Sequence, residues 1–166
     1  MILVLSEQAP SYLFGDWSLR SWLLSTDHKR IAILYMLSIT AFFMLGGLAV
    51  VLVRLDLLTP ASDLVSREIY NRLFTMHGAL MVWFFLIPSI PAVFGNFLVP
   101  LMIGAEDLAF PRINLASWYL FVLGGLLALW AIVIGGADTG WTFYTPYSSL
   151  YATSSVVLLI VGIFVA

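Results

Sequence analysis

The chain has 166 residues, 62% of them hydrophobic and only 10% charged, with a formal net charge of −2 and no cysteine. A soluble domain carries roughly 25% charged residues, and a soluble fold of this length could not bury so much apolar surface, so lipid is the solvent that fits. No basic stripe is present to neutralise phosphates, which argues against nucleic acid, and the lack of cysteine excludes disulfides, thiolate metal sites and cysteine nucleophiles.

Residues 1–24 do not make a signal peptide. No basic region precedes the apolar start, and Glu7 and Asp16 interrupt the stretch after it. They read as a tail that brings Trp17 and Trp22 to a membrane surface, and residues 1–30 as a whole form an amino-terminal surface segment. From residue 31 to 166 the sequence predicts an all-α, polytopic transmembrane helix bundle. A spanning helix needs about 20 apolar residues. Three stretches meet that length: residues 31–53, which carry no charge; residues 73–102, whose one ionisable group is His77; and residues 115–134. A fourth begins near Thr153 and is still apolar at Ala166, with no polar flank. This is the pattern of three full spans and the start of a fourth, and of a chain that continues into a longer polypeptide.

Charges collect in the connections. Arg54, Asp56, Asp63, Arg67, Glu68 and Arg72 surround a turn at Pro60, and Glu106, Asp107 and Arg112 mark the next connection. The last, residues 135–152, is rich in Gly, Pro, Tyr and Ser and carries Asp138. By the positive-inside rule, Arg20, Lys29, Arg30 and Arg112 weigh against Arg54, Arg67 and Arg72, which favours an amino terminus inside by four to three.

His77 is the sharpest feature of these spans. An ionisable side chain at membrane depth is a functional hypothesis by default, and a neutral imidazole is the commonest metal ligand. A histidine hydrogen-bonded to a neighbouring helix accounts for the position equally well. Gly78 and the pair Gly46-Gly47 would let a flat cofactor approach the backbone, although small residues serve plain helix packing more often. Pro88 and Pro91 each remove a backbone hydrogen bond and are expected to kink the second helix. Asp107 lies just past the inner end of that helix, with Asn96 and Asn114 nearby in sequence. A carboxylate at the mouth of a bundle with amides further in can start a hydrogen-bonded water path; a solvated loop acid is the plainer reading. From His77 to Pro100 the helix rises roughly 35 Å, so His77 and Asp107 belong to opposite membrane faces. Arg54, Tyr70, Trp141 and Tyr144 share the side of His77. Tyr35, Asn96 and Asn114 share the side of Asp107.

At these residues a family becomes visible. The segment Thr26-Asp27-His28-Lys29-Arg30-Ile31 is similar to the opening of the first helix in the catalytic subunit of haem–copper terminal oxidases. Ile69-Tyr70-Asn71 followed by Thr75-Met76-His77-Gly78 resembles the segment that supplies a low-spin haem ligand. The most specific match runs from Phe94-Gly95-Asn96-Phe97-Leu98-Val99-Pro100 through Leu101-Met102-Ile103-Gly104-Ala105 to Asp107-Leu108-Ala109-Phe110-Pro111-Arg112. Thr139-Gly140-Trp141-Thr142 and Tyr144 complete it. The resemblance covers residues 26–166.

It implies roles. His77 would be an axial ligand of the low-spin haem iron, with haem A the expected type. Arg54 would approach the haem formyl group, Trp141 would lie near its propionates, and Tyr70 belongs to the same haem-binding segment. Asp107 would open a proton-uptake path, with Asn96 and Asn114 further along and Tyr35 near its mouth. Asp56 matches an acidic position near an outer cation site. The high-spin haem, the copper and their ligands would lie on later helices, since His28 and His77 are the only histidines here. Glu106, Leu115 and Thr145-Pro146-Tyr147 depart from the family pattern and point to a bacterial subgroup.

The implied function is that of a proton-pumping cytochrome c oxidase, reducing oxygen to water in a bacterial inner membrane. Its partners would be the remaining helices of the subunit, other oxidase subunits, cytochrome c and lipid. A quinol oxidase of the same family is the near alternative. A non-catalytic membrane subunit or transporter fragment is the distant one.

Overall fold

The computed structural model describes residues 18–61, 63–150 and 154–166. The expected surface role of Trp17 lies outside the described residues. The elements in chain order are α1 (Leu19–Leu23), α2 (His28–Asp56), α3 (Arg67–Ile103), α4 (Pro111–Val133), α5 (Tyr147–Leu150) and α6 (Ser154–Val165). No strand occurs among the described residues.

The helix starts are written in the sequence. The Ser18 hydroxyl accepts from the Ser21 amide, the Asp27 carboxylate from Lys29 and the Ser66 hydroxyl from Ile69, each meeting a donor that the first helical turn leaves unpaired. Pro111 opens α4, where its missing N–H costs nothing. Gly104 ends α3 in the left-handed region at φ 67°. The spans α2, α3 and α4 have 29, 37 and 23 residues. Each is long enough to cross a hydrocarbon core of about 30 Å at 1.5 Å per residue. The helix α6 is apolar and has 12 residues.

Helix α3 does not break at its prolines. Two π-helical stretches, Leu80–Leu86 and Ser89–Gly95, lie on either side of Pro88, with Pro91 inside the second. The wider turn absorbs the missing amides while the chain continues in the same helix. Ser89 donates to the Phe85 carbonyl and Asn96 to the Ala92 carbonyl, at 2.6 Å in the second case.

Helix α2 is the organising element. Its buried side chains Ile31, Tyr35, Ile39, Phe42, Gly46, Ala49 and Val53 follow one another at steps of three and four, a single seam along the helix. Against that seam lies a ring cluster. Phe42 meets Phe84 at 5.1 Å and Phe121 edge-on at 5.8 Å, and Tyr35 meets Phe121 at 5.4 Å between centroids.

Lipid supplies no hydrophobic force between helices, so close packing holds them. Glycines make that packing possible. A Cβ on Gly125 would sit 2.1 Å from Phe42 Cζ, so the ring rests on the α4 backbone. Where α4 crosses α6, a Cβ on Gly124 would be 2.4 Å from the Gly162 carbonyl, and one on Gly162 would be 2.7 Å from the Gly124 carbonyl. Outward-facing Met44, Leu48, Leu86, Ile90 and Phe94 remain exposed, which suits contact with lipid or further helices.

Candidate functional site

Helix polarity puts two polar groups at the two ends of the bundle. Toward the Arg67 end of α3 lies His77, whose Nδ1 is 2.9 Å from the Gly46 carbonyl of α2. A carbonyl only accepts, so Nδ1 carries the hydrogen and Nε2 keeps its lone pair. This is the second-shell arrangement that fixes tautomer and ring orientation in metal-binding histidines. Beside Gly46, a Cβ on Gly47 would meet nothing within 4 Å, so the adjoining face of α2 is open. Arg54 lies on that face two turns further out, exposed and without a hydrogen-bond or ion-pair partner among the described residues. Tyr70 is half-buried on α3, two turns before His77. Trp141 comes from the loop after α4, and its ring fills the space beside Gly78. Tyr144 is exposed on the same loop. Asp56 is buried, and its Oδ1 accepts from the amides of Leu64 and Val65 at 2.9 and 3.0 Å, tying the connection to α3 back to the end of α2.

At the other end of α3, Asp107 comes just after the Gly104 turn. Its Oδ1 accepts from its neighbour Leu108 at 2.7 Å and from the Nδ1 of buried His28 at 3.0 Å. His28 also lies 3.9 Å from Asp27, the cap of α2. Asp107 itself is 39% exposed. A cavity of about 490 Å³ adjoins this pair, lined by His28, Lys29, Phe97, Pro100, Leu101, Ala105 and Glu106. Glu106, which departs from the family pattern, is one of its lining residues.

Deeper in the bundle, Tyr35, Asn96 and Asn114 form one network rather than separate steps. Ser117 Oγ donates to the Asn114 carbonyl at 2.7 Å, which uses its only hydrogen, so Tyr35 donates to Ser117 at 2.8 Å. Asn114 Nδ2 donates to Asn96 Oδ1 at 2.6 Å. These four residues line a cavity of about 470 Å³ with Pro88, Pro91 and the Trp83 and Phe121 rings. Tyr35 is two turns beyond His28 on α2, roughly 10 Å. It thus sits level with the asparagines. Leu115, where an asparagine is the family habit, packs on the apolar core.

Three contributors are not among the residues expected from sequence. His28 reads as an inner flank residue, although its spacing of seven from Tyr35 puts both on one helix face. Ser117 lies one turn after Asn114, a legible clue. The Gly46 carbonyl has no side-chain signal. Among the described residues, no group of three or more His, Cys, Asp or Glu side chains could hold a metal ion; were a haem bound here, His77 would be its ligand from this part of the chain. The free Nε2 and the open glycine face fit one such ligand.

Comparison with known proteins gives the family. Residues 30–166 match the model of a family described as cytochrome c and quinol oxidase polypeptide I. The chain is 41% identical over 139 residues to cytochrome c oxidase subunit 1 of Thermostichus vulcanus, covering 84% of this chain and 25% of that protein. It is 45% identical over 134 residues to the probable cytochrome c oxidase subunit 1-beta of Nocardia farcinica, covering 78% and 22%. Identity to cytochrome c oxidase subunit 1 of Corynebacterium glutamicum is 42% over 135 residues, covering 78% and 23%. The chain thus spans about a quarter of the length of these relatives. With its match over residues 30–166 and its three membrane-length helices, this integral membrane chain belongs to the cytochrome c and quinol oxidase polypeptide I family.

Proposed function

We propose that the chain is part of the catalytic subunit of a proton-pumping cytochrome c oxidase, which reduces oxygen to water. The observation that carries this reading is the His77 hydrogen bond to the Gly46 carbonyl, because it leaves Nε2 ready to bind iron. Residues His77, Arg54, Trp141 and Tyr70 would hold a low-spin haem, with haem A the expected type, a formyl contact for Arg54 and propionate contacts for Trp141. The haem supplies one-electron transfer when bound. The chain supplies orientation: helix α2 holds the imidazole through the Gly46 carbonyl, and the Trp141 ring packs beside Gly78. The high-spin haem and copper belong to later helices of the full-length subunit.

Asp107 would take protons from the inner aqueous phase, with His28 holding its Oδ1. Asn96, Asn114 and Tyr35, joined through Ser117, would orient water deeper in the bundle. Cytochrome c as the electron donor accords with the names of the relatives. A quinol donor is the second reading, since the family description covers both. Other oxidase subunits and lipid are the expected partners, and a bacterial inner membrane with the amino terminus in the cytoplasm is the expected setting.

The test is a reduced-minus-oxidised visible spectrum of the full-length protein, with proton release from vesicles after an oxygen pulse. Haem bands and oxygen-dependent proton release are expected. A purified protein without haem bands would return the chain to the reading of a non-catalytic membrane subunit or transporter. Orientation has its own test: with the amino terminus inside, a cysteine replacing exposed Ala61 should label only from outside, and residues 1–166 carry no native cysteine to confuse the result.

A further inference from the structure

Thr75 is buried in the first quarter of α3, two residues before His77, with 1% of its surface exposed. Its Oγ1 donates to the Asn71 carbonyl at 3.0 Å, the local bond a helical threonine can always make. The same oxygen also accepts from the Gly140 amide at 3.0 Å. That second bond joins the helix to a loop 65 positions away. Gly140 has φ 76°, a conformation that L side chains rarely adopt. The next residue is Trp141. One turn along α3 from Thr75, a Cβ on Gly78 would lie 2.7 Å from Trp141 Cδ1 and 2.9 Å from Cγ. The loop is thus fixed at two successive residues, by a hydrogen bond at Gly140 and by ring contact at Trp141. The two anchors, Thr75 and Gly78, flank His77 on its own helix.

We propose that Thr75 is a positioning residue. Its hydroxyl sets the loop that carries Trp141, and through the Trp141 ring it sets the surroundings of the cofactor that His77 holds. The cofactor half rests on the haem-ligand reading of His77; the loop half does not. Thr75 itself touches neither iron nor substrate. The work is divided: Thr75 orders the loop, Gly78 makes room for the ring, and the Gly46 carbonyl orients the imidazole.

The experiment uses the full-length protein with Thr75→Val, Thr75→Ser and Gly78→Ala. Valine keeps the shape of threonine and removes the acceptor, whereas serine keeps the acceptor. Deuterium exchange at the Gly140 amide should be about fivefold to tenfold faster in Thr75→Val and close to normal in Thr75→Ser. The low-spin band and its midpoint potential should shift in Thr75→Val at unchanged haem content, and serine should restore both. Gly78→Ala, which displaces the ring without touching the hydroxyl, should shift the same band. Unchanged Gly140 exchange in Thr75→Val overturns the proposal. If Thr75→Val does not assemble, an unshifted band in assembled Gly78→Ala overturns it instead. A low-spin spectrum that survives His77→Leu sinks the haem reading and the cofactor half with it, and the Gly140 exchange then decides the loop half alone.

Discussion

His77 and Asp107 stand near opposite ends of α3 and are held in different ways. Around His77 the fixing is done by backbone and by missing side chains: the Gly46 carbonyl, the Gly140 amide and the space at Gly78. None of these can change rotamer. Around Asp107 the partner is another titratable side chain, His28, and the carboxylate is part-exposed. Further in, hydroxyls and carboxamides bond to one another beside a cavity. A rigid frame suits a group that must hold one geometry for a metal. Groups that can act as both donor and acceptor suit a path along which hydrogen bonds must reverse. The two ends divide orientation from exchange, and substitutions at each should fail in different measurements.

The largest expected effect is at the rigid end. His77→Leu removes the only nitrogen aimed from this turn, and leucine offers iron no lone pair. The low-spin spectrum of the full-length protein should be lost. An unchanged low-spin spectrum in an assembled variant would remove His77 from the site and collapse the contrast. Asp107→Asn comes next and should do the reverse. It keeps size and hydrogen-bonding capacity but loses the titrating group. Haem spectra should be normal while oxygen consumption falls by more than about tenfold, with proton release from vesicles nearly abolished. Normal turnover together with normal pumping would leave Asp107 as a solvated loop acid.

His28→Gln is expected to be milder. Glutamine can still donate to Asp107, but from a longer and more flexible chain. The pair is part-exposed, so the loss in stability should stay near 1 kcal/mol or below. Turnover should fall a few-fold, with the spectrum unmoved. A larger loss than in Asp107→Asn would mean that His28, and not the carboxylate, is the group that matters at the mouth.

Legibility in the sequence depends on which atoms carry a feature. The three spans can be read because 20 apolar residues have few other uses, and the caps Ser18, Asp27 and Ser66 are side-chain signals. His77 and Asp107 stand out as ionisable groups beside apolar runs. The contacts of Gly46 and Gly140 cannot be read, since a backbone carbonyl or amide looks the same at every residue. Pro88 and Pro91 predict kinks, and around them the chain widens into π-helical turns. Proline rules describe a lost bond, whereas neighbouring carbonyls decide how the helix repairs it. The neighbours of Tyr35 cannot be read either, because side chains on different helices have no common depth in sequence. Its hydrogen bond to Ser117, on α4, supplies that depth.

Tyr35→Phe should give the smallest effect and the finest test of the contrast. The substitution deletes one hydroxyl from the inner network and keeps the ring that packs at 5.4 Å from Phe121. Ser117 loses a donor but keeps its own bond to the Asn114 carbonyl, and Asn114 keeps its bond to Asn96. No buried group is left with an unmet donor hydrogen, so the stability cost should be about 1 kcal/mol. Haem spectra should not change, because the nearest route to His77 from Tyr35 runs eleven residues along α2 to Gly46, roughly 16 Å. If the four polar residues orient water as a unit, turnover should fall by about twofold to fivefold, and the loss should not add to that of Ser117→Ala, since both variants break the same bond. Additive losses would mean that Tyr35 and Ser117 act separately. A shifted haem spectrum in Tyr35→Phe would mean that the two ends communicate through the α2 seam, and the division between a rigid end and an exchanging end would have to be abandoned.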